Sequence, residues 1–334
     1  MNRSLCFIII LLSILISNGC SKKNTPPVPA KDKLLPISVQ LDWFPEPEHG
    51  GLYQALAKNY FTDEGLAVTL ISGGNNILVT QMLASSRAQI GQSDSTKIIL
   101  AAARGLPVKI IGAVFHNSPS GLMLHADNPI SRFEELDGKT IMARTEALYI
   151  PYIKKKYGIT FNVIPQNFGL GQFMSDKNFI QEGFYIAEFY FIEKEGVKPK
   201  VLNLWDSGYM NSLVLAANTE FIESHSVAVD RFMHAFIKGW SEYLEGDSIP
   251  AREAMKEANR KISRVVEDDF LDFSRKIIIR DNLARGNKLW GENYGILSIE
   301  RVEEQISQLI DLEVLKEGEI TAADVHAQSV TREN

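Results

Sequence analysis

The chain has 334 residues, 45% hydrophobic and 23% charged, which is ordinary globular usage, and its formal net charge is −6. That charge, with no basic stripe, argues against a nucleic-acid binder. The length is too great for one small core and suits two packed lobes. Both cysteines, Cys6 and Cys20, fall in the first twenty residues, so the body must hold together by burial alone.

At the start, Arg3 precedes an apolar run from Leu5 to Ile16, and Ser17-Asn18-Gly19-Cys20 comes next. A membrane span needs about 20 apolar residues, so this shorter run reads as an export signal. Small residues before Cys20 resemble the bacterial lipoprotein signal, although Ser17 stands where leucine is usual. The expectation is a signal peptide over 1–20, lipidation at Cys20, and a periplasmic or cell-surface protein anchored to a membrane by lipid. Residues 21–36, SKKNTPPVPAKDKLLP, are polar and proline-rich and form a flexible tether. No later segment approaches membrane length.

Ile37, Val39, Leu41 and Trp43 alternate with polar residues, the period of a half-buried strand, and Pro45 and Pro47 stop it. A helix at 50–59, a strand at 67–71, and a helix capped by Asn75 or Asn76 and running to Ser85 come after it. Next are a strand at 88–91, a helix capped by Ser93, Asp94 or Ser95 and ending before Gly105, and a strand at 108–115. The second unit has strands at 122–125, 139–143, 161–164, 183–186 and 200–204, with helices at 131–136 and 147–157. A strand at 213–217 returns to the first unit, and the rest is mainly helical. Val229, Phe232, Met233, Phe236, Ile237, Trp240 and Leu244 recur at helical spacing and are assigned to packing, as are Ile299, Val302, Ile306, Leu309 and Ile310. Alternating strands and helices predict an α/β fold of two lobes, each a mostly parallel sheet with flanking helices. The lobes are expected at 37–120 plus 214–334, with the C-terminal helices, and at 121–213.

In open α/β sheets ligands settle beyond the carboxyl ends of the strands, here in a cleft between the lobes. After the first strand come Trp43, Phe44, Glu46, Glu48 and His49, then Gly50-Gly51, whose backbone can approach a ligand. Gln92, Ser93 and Asp94 lie after the third strand, and Phe115, His116, Asn117 and Ser118 after the fourth. The second lobe offers Arg144, Tyr185, Glu188 and Asp206. The candidate ligand-binding set is Trp43, Phe44, Glu46, His49, Gly50, Ser93, Asp94, Phe115, Asn117, Tyr185, Glu188 and Asp206. Plainer roles fit several members: Trp43 as core, Asp94 as a helix cap, His49 as a buried structural histidine, Glu188 and Asp206 as solvated charges. Aromatic faces suit a planar ring, and carboxylates accept from ring N–H and amino groups while repelling anions. Arg144 is the exception, since it suits an anion if it faces the cleft.

LDWFPEPEHGGLY (41–53) and, after it, NYFTDEGLAVTL resemble the opening of the thiamine-pyrimidine family of periplasmic solute-binding proteins, relatives of the fungal thiamine-pyrimidine synthases. The resemblance continues through IGQSDS (90–95), GLPVKIIGAV (105–114), LDGKTI (136–141) and the stretch 173–209, and thins out by about 245. It implies a two-lobed periplasmic binding protein of type II that hands a small heteroaromatic solute to an ABC permease and its ATPase. By position, Trp43 would stack on the ring with Glu46 and His49 beside it. Ser93 and Asp94 would line the first lobe, and Glu188 would face them from the second. Members of the family differ among formylaminopyrimidine, hydroxymethylpyrimidine and riboflavin-like solutes, so the ligand stays open; a sulfonate or nitrate carrier is the alternative within the wider group.

The synthases use a cysteine-rich loop that this chain lacks, and no metal-protease, nucleophile-elbow or phosphate-loop motif occurs. A binding protein is therefore expected rather than an enzyme: a monomer without cofactor or metal. A two-carboxylate hydrolase built on Glu46 and Glu188, or a ligand-sensing subunit using the same cleft, remain the competing readings.

Overall fold

The computed structural model describes residues 34–75, 77–286 and 293–327. The expected signal peptide, Cys20, most of the tether and Asn76 lie outside the described residues.

The chain begins with β1 (Leu35–Gln40), α1 (Gly50–Ala57), α2 (Tyr60–Asp63), β2 (Leu66–Ile71) and α3 (Val79–Ala84). It continues through β3 (Ile90–Asp94), α4 (Ser95–Ala103), β4 (Val108–Phe115), β5 (Ser120–His125) and β6 (Thr140–Ala143). Then come α5 (Tyr149–Tyr157), β7 (Asn162–Pro165), α6 (Gly171–Ser175), β8 (Ile180–Phe184), α7 (Tyr185–Lys194) and β9 (Pro199–Asn203). After β10 (Leu213–Asn218) the described chain is helical: α8 (Thr219–Ser224), α9 (Ser226–Glu245), α10 (Ile249–Lys261), α11 (Asp268–Arg280), α12 (Ile299–Asp311) and α13 (Ala322–Val325).

The first sheet has the order β2-β1-β3-β10-β4 and the second β7-β6-β8-β5-β9. β1 pairs in parallel with β2 and β3, while β10 runs antiparallel between β3 and β4. The second sheet repeats the scheme, with β5 reversed between β8 and β9. Four strands of each sheet therefore share one direction, as expected of a mostly parallel sheet. The chain leaves the first sheet after Phe115 and returns at Leu213. The two crossings are tied together, since the Ser118 amide donates to the Asn211 carbonyl (3.0 Å) and Ser212 Oγ to the His116 carbonyl (2.8 Å).

Strand alternation explains why both faces of the first sheet are covered. Leu213, Leu215 and Ala217 of β10 enter the core beneath α1 and α9, whereas Val214 and Ala216 enter a second core under α4, α12 and α13. In the second sheet Leu122, Leu124, Ile141 and Ala143 share one core, while Met123 and Met142 face α7. That face joins the large core of the first sheet through α11, whose Ser274 Oγ donates to the Ile186 carbonyl (2.6 Å). The stripe on α9 is buried as expected, with Val229, Phe232, Met233, Phe236 and Trp240 wholly enclosed. Each such side chain contributes about 1.5–3 kcal/mol before the entropy of ordering it.

Several elements differ from the sequence reading. The strand expected at 183–186 is β8, three residues earlier, and Tyr185 starts α7. Burial at Tyr185, Ile186, Phe189 and Ile192 has helical spacing, which the aromatic, strand-prone sequence conceals. β3 runs on to Asp94, so Gln92 and Ser93 are strand residues. Asp94 occupies the cap position of α4 but makes no side-chain capping bond, and Leu78 rather than Asn75 caps α3. The helix expected at 131–136 is a single 3-10 turn, Phe133–Leu136. Among the described residues no helix is long and apolar enough to cross a membrane.

Candidate functional site

β1 ends at Gln40, short of Pro45, and Pro47 opens a 3-10 turn, Pro47–His49, that packs the loop against α1. His49 is fully buried. Its Nδ1 accepts from the Glu46 amide (3.3 Å), so the proton of the neutral ring sits on Nε2 and is donated to Asp42 Oδ1 (3.2 Å). Gln92 Nε2 of β3 donates to the same oxygen at 3.1 Å. His49 thus orients a carboxylate.

Trp43 is half-buried and lies edge-on to Phe44, ring centres 5.3 Å apart. Its other neighbour comes from the second sheet: Phe168, in the loop between β7 and α6, sits 5.9 Å away at a 40° tilt. Phe168 is 53% exposed and has φ +61°, a left-handed conformation a bulky residue rarely adopts. Its loop is braced by Asn167 Oδ1, which accepts from the Gly169 amide (2.9 Å), and by Gln181 Nε2, which donates to the Gly169 carbonyl (3.0 Å). One aromatic from each sheet therefore meets over the cleft.

Beside them stand the acids. Glu46 is buried, and Arg264 Nη2 donates to its Oε1 at 3.2 Å. Burial pushes its carboxyl up to about 7 even though Arg264 pulls it down. Glu48 is 4% exposed. Burial, then the carboxylates of Glu46, Asp42 and Glu188, raise it well above the usual range. Glu188, in the first turn of α7, is pushed up to about 8 by burial against the pull of backbone N–H groups, with Glu46 adding to the rise. Oε2 of Glu48 and Oε2 of Glu188 are both buried with no hydrogen-bond partner among the described residues, as is Oε1 of Gln92. An orphaned buried oxygen costs about 1–3 kcal/mol.

A cavity of about 360 Å³ is lined by Asp94, Lys97, Arg144, Tyr149, Tyr209 and Asn211, among others. Here charges are matched. Arg144 donates from its amide (2.8 Å), Nε (2.9 Å) and Nη2 (2.6 Å) to Glu182, which also accepts from the Tyr149 hydroxyl (3.2 Å). Asp94 pairs with Lys97 (3.0 Å) and accepts from Asn211 Nδ2 (3.2 Å). Burial alone would raise the Asp94 carboxyl, but Lys97 and Arg144 hold it below the usual range. Arg144, the group that would have suited an anion, is committed to Glu182.

Of the expected residues, the chain brings Trp43, Phe44, Glu46, His49 and Glu188 together and places Asp94 on the cavity wall, with buried Ser93 between Gln92 and Asp94 on β3. Others have structural roles. Phe115 is fully buried and packs on Trp240 (5.6 Å). Tyr185 is enclosed, its hydroxyl donating to Asp281 (2.8 Å). Gly50 serves helix packing rather than ligand approach, because a Cβ there would lie 2.2 Å from Tyr243 of α9. Asn117 accepts from Arg301 Nη1 (3.3 Å). Asp206 is exposed, accepts from Asn203 (3.3 Å) and does not line the cavity. Asp42, Phe168 and Arg264 are outside the expected set, and Glu48 stands beside it without belonging to it. Among the described residues no group of three or more His, Cys, Asp or Glu side chains could hold a metal ion.

Known proteins share this architecture. The chain is 26% identical over 282 residues to the formylaminopyrimidine-binding protein of Halalkalibacterium halodurans, covering 80% of this chain and 84% of that one. It is 23% identical over 316 residues to the 4-amino-5-hydroxymethyl-2-methylpyrimidine phosphate synthase of Uromyces fabae, covering 84% and 89%. Its fold is similar to that of the periplasmic aliphatic sulphonate binding protein SsuA from Escherichia coli, with a TM-score of 0.62, 10% identity and coverage of 90% and 94%. The two-sheet arrangement is thus the periplasmic binding protein fold. A family model described as NMT1/THI5 like matches residues 46–246, well over half of the sequence, and the chain belongs to that family.

Proposed function

We propose that the protein is the solute-binding component of an ABC importer and captures a small nitrogen heteroaromatic, a thiamine pyrimidine precursor, between its two sheets. The observation that carries this reading is the pair of orphaned oxygens, Glu48 Oε2 and Glu188 Oε2, on opposite sides of the cleft. An amino group and ring N–H donors satisfy such acceptors, whereas a sulfonate or nitrate brings no donor to them. Trp43 supplies the stacking face. At 5.9 Å its ring already touches Phe168, which leaves no room for a third ring, so a planar solute stacks on Trp43 by displacing exposed Phe168.

The name of the Halalkalibacterium relative supports the same solute class. Binding rather than catalysis is supported by the lack of any cysteine beyond Cys20 in a chain whose fungal relatives are named synthases. Export with lipid attachment at Cys20, a tether from Ser21 that stops short of β1 at Leu35, a monomeric state and delivery to a permease and its ATPase complete the proposal. The two crossings at 116–119 and 208–212 are the hinge about which lobes of the expected boundaries close.

Melting of the purified protein with 4-amino-5-hydroxymethyl-2-methylpyrimidine, riboflavin and methanesulfonate tests it. A solute at a hundred times its Kd adds about 2.7 kcal/mol of stability. The aminopyrimidine is expected to raise Tm; a rise with methanesulfonate alone would overturn the reading.

A further inference from the structure

We infer that Arg264, on the turn between α10 and α11, is a positioning residue that sets the charge and the pH response of the solute site through Glu46. This rests on the cleft being the site of a nitrogen heteroaromatic solute.

The turn is built onto the loop that carries Trp43. Asn259, fully buried near the end of α10, donates from Nδ2 to the Pro45 carbonyl at 2.6 Å. Ser263 adopts a left-handed φ of +59°, which folds the chain back so that the Arg264 amide donates to the Asn259 carbonyl (2.9 Å). The Arg264 guanidinium then lies 3.7 Å over the Phe44 ring and pairs with Glu46 at 3.2 Å. Three consecutive residues, Phe44, Pro45 and Glu46, are gripped by one turn. A few residues on, Glu267 pairs with Lys194 (2.7 Å) and accepts from the Tyr190 hydroxyl (2.7 Å), both on α7, the helix that carries Glu188. The turn therefore touches both walls of the cleft.

The groups facing Glu46 are Asp42, Glu48 and His49 from its own loop, Glu188 from α7 and Arg264 from this turn. Arg264 supplies the cation of that set. It lets one buried carboxylate ionise while Glu48 and Glu188 remain as acceptors for the solute. Without the guanidinium the Glu46 carboxyl rises further, and the site ionises only at higher pH.

Calorimetry of 4-amino-5-hydroxymethyl-2-methylpyrimidine binding to the full chain between pH 6 and 9 tests this. In the unaltered protein affinity should rise with pH through a step near 7, where Glu46 ionises, below the change expected from Glu188 near 8. Arg264→Gln should move that step up by at least about half a pH unit, with Arg264→Lys returning it. A uniform loss of affinity with the step unmoved would show a merely structural residue and overturn the inference. Glu46→Gln, made together with Glu188→Gln because Glu188 also ionises in this window, provides an arm independent of how Arg264→Gln folds: the step should vanish, and one that survives there also overturns it. No binding by the unaltered protein at any pH would overturn the solute class and this inference together.

Discussion

Around Arg144 the charges are matched one to one, whereas around Glu48 the carboxylates outnumber the cations. Arg144 meets Glu182 through three N–H groups, and Asp94 is held by Lys97 and Asn211. Around Glu48, Arg264 pairs with Glu46, Asp42 accepts from His49 and Gln92, and one carboxylate oxygen each of Glu48 and Glu188 has no partner among the described residues. A matched set stabilises the fold by itself, while an unmatched one lowers the stability of the empty protein and becomes favourable only when something fills it. The contrast separates residues that build the cleft from residues that need a solute.

The largest effect should come from the matched end. Arg144→Ala leaves Glu182, 4% exposed, without its cation, and unfolding in denaturant should show a loss of about 3 kcal/mol. Glu48→Gln should change the stability of the solute-free protein by less than about 1 kcal/mol, since burial and the neighbouring carboxylates already work against the charged form of Glu48. Equal losses from the two substitutions would erase the distinction between the ends.

A smaller effect sharpens the aromatic half of the comparison. Trp43→Ala should weaken binding of the aminopyrimidine by about 2 kcal/mol, roughly thirtyfold, as removal of a central anchor does. Phe168→Ala should cost less than about 1 kcal/mol, because an exposed ring that must move aside returns only part of its contact. A larger loss at Phe168 than at Trp43 would assign the anchor to the second sheet.

Much of this is legible in the sequence. The strand at 108–115 is read at its true bounds and that at 213–217 lacks only Asn218, because their runs, apolar but for Lys109, are buried on both faces. The segment 180–194 misleads because its aromatics favour a strand locally, while contacts with α11 reward the helix. Trp43, Glu46 and Glu188 stand out because each lies shortly beyond a strand's carboxyl end. The same rule points at Phe168 just beyond β7, where Asn-Phe-Gly signals a left-handed turn, but a single exposed aromatic gives no further sign. Arg264 has no local signal, since it reaches Glu46 from more than 200 positions away. Phe115, Tyr185 and Gly50 enter the expected set by position alone, and burial decides against them.

Calorimetric titration of Glu48→Gln and Glu188→Gln with 4-amino-5-hydroxymethyl-2-methylpyrimidine addresses the unmatched oxygens directly. Each substitution replaces an acceptor by an amide that also presents N–H groups, so both should weaken binding at least about tenfold, a cost of about 1.4 kcal/mol, with the fold intact. Affinity unchanged in both variants would contradict the account.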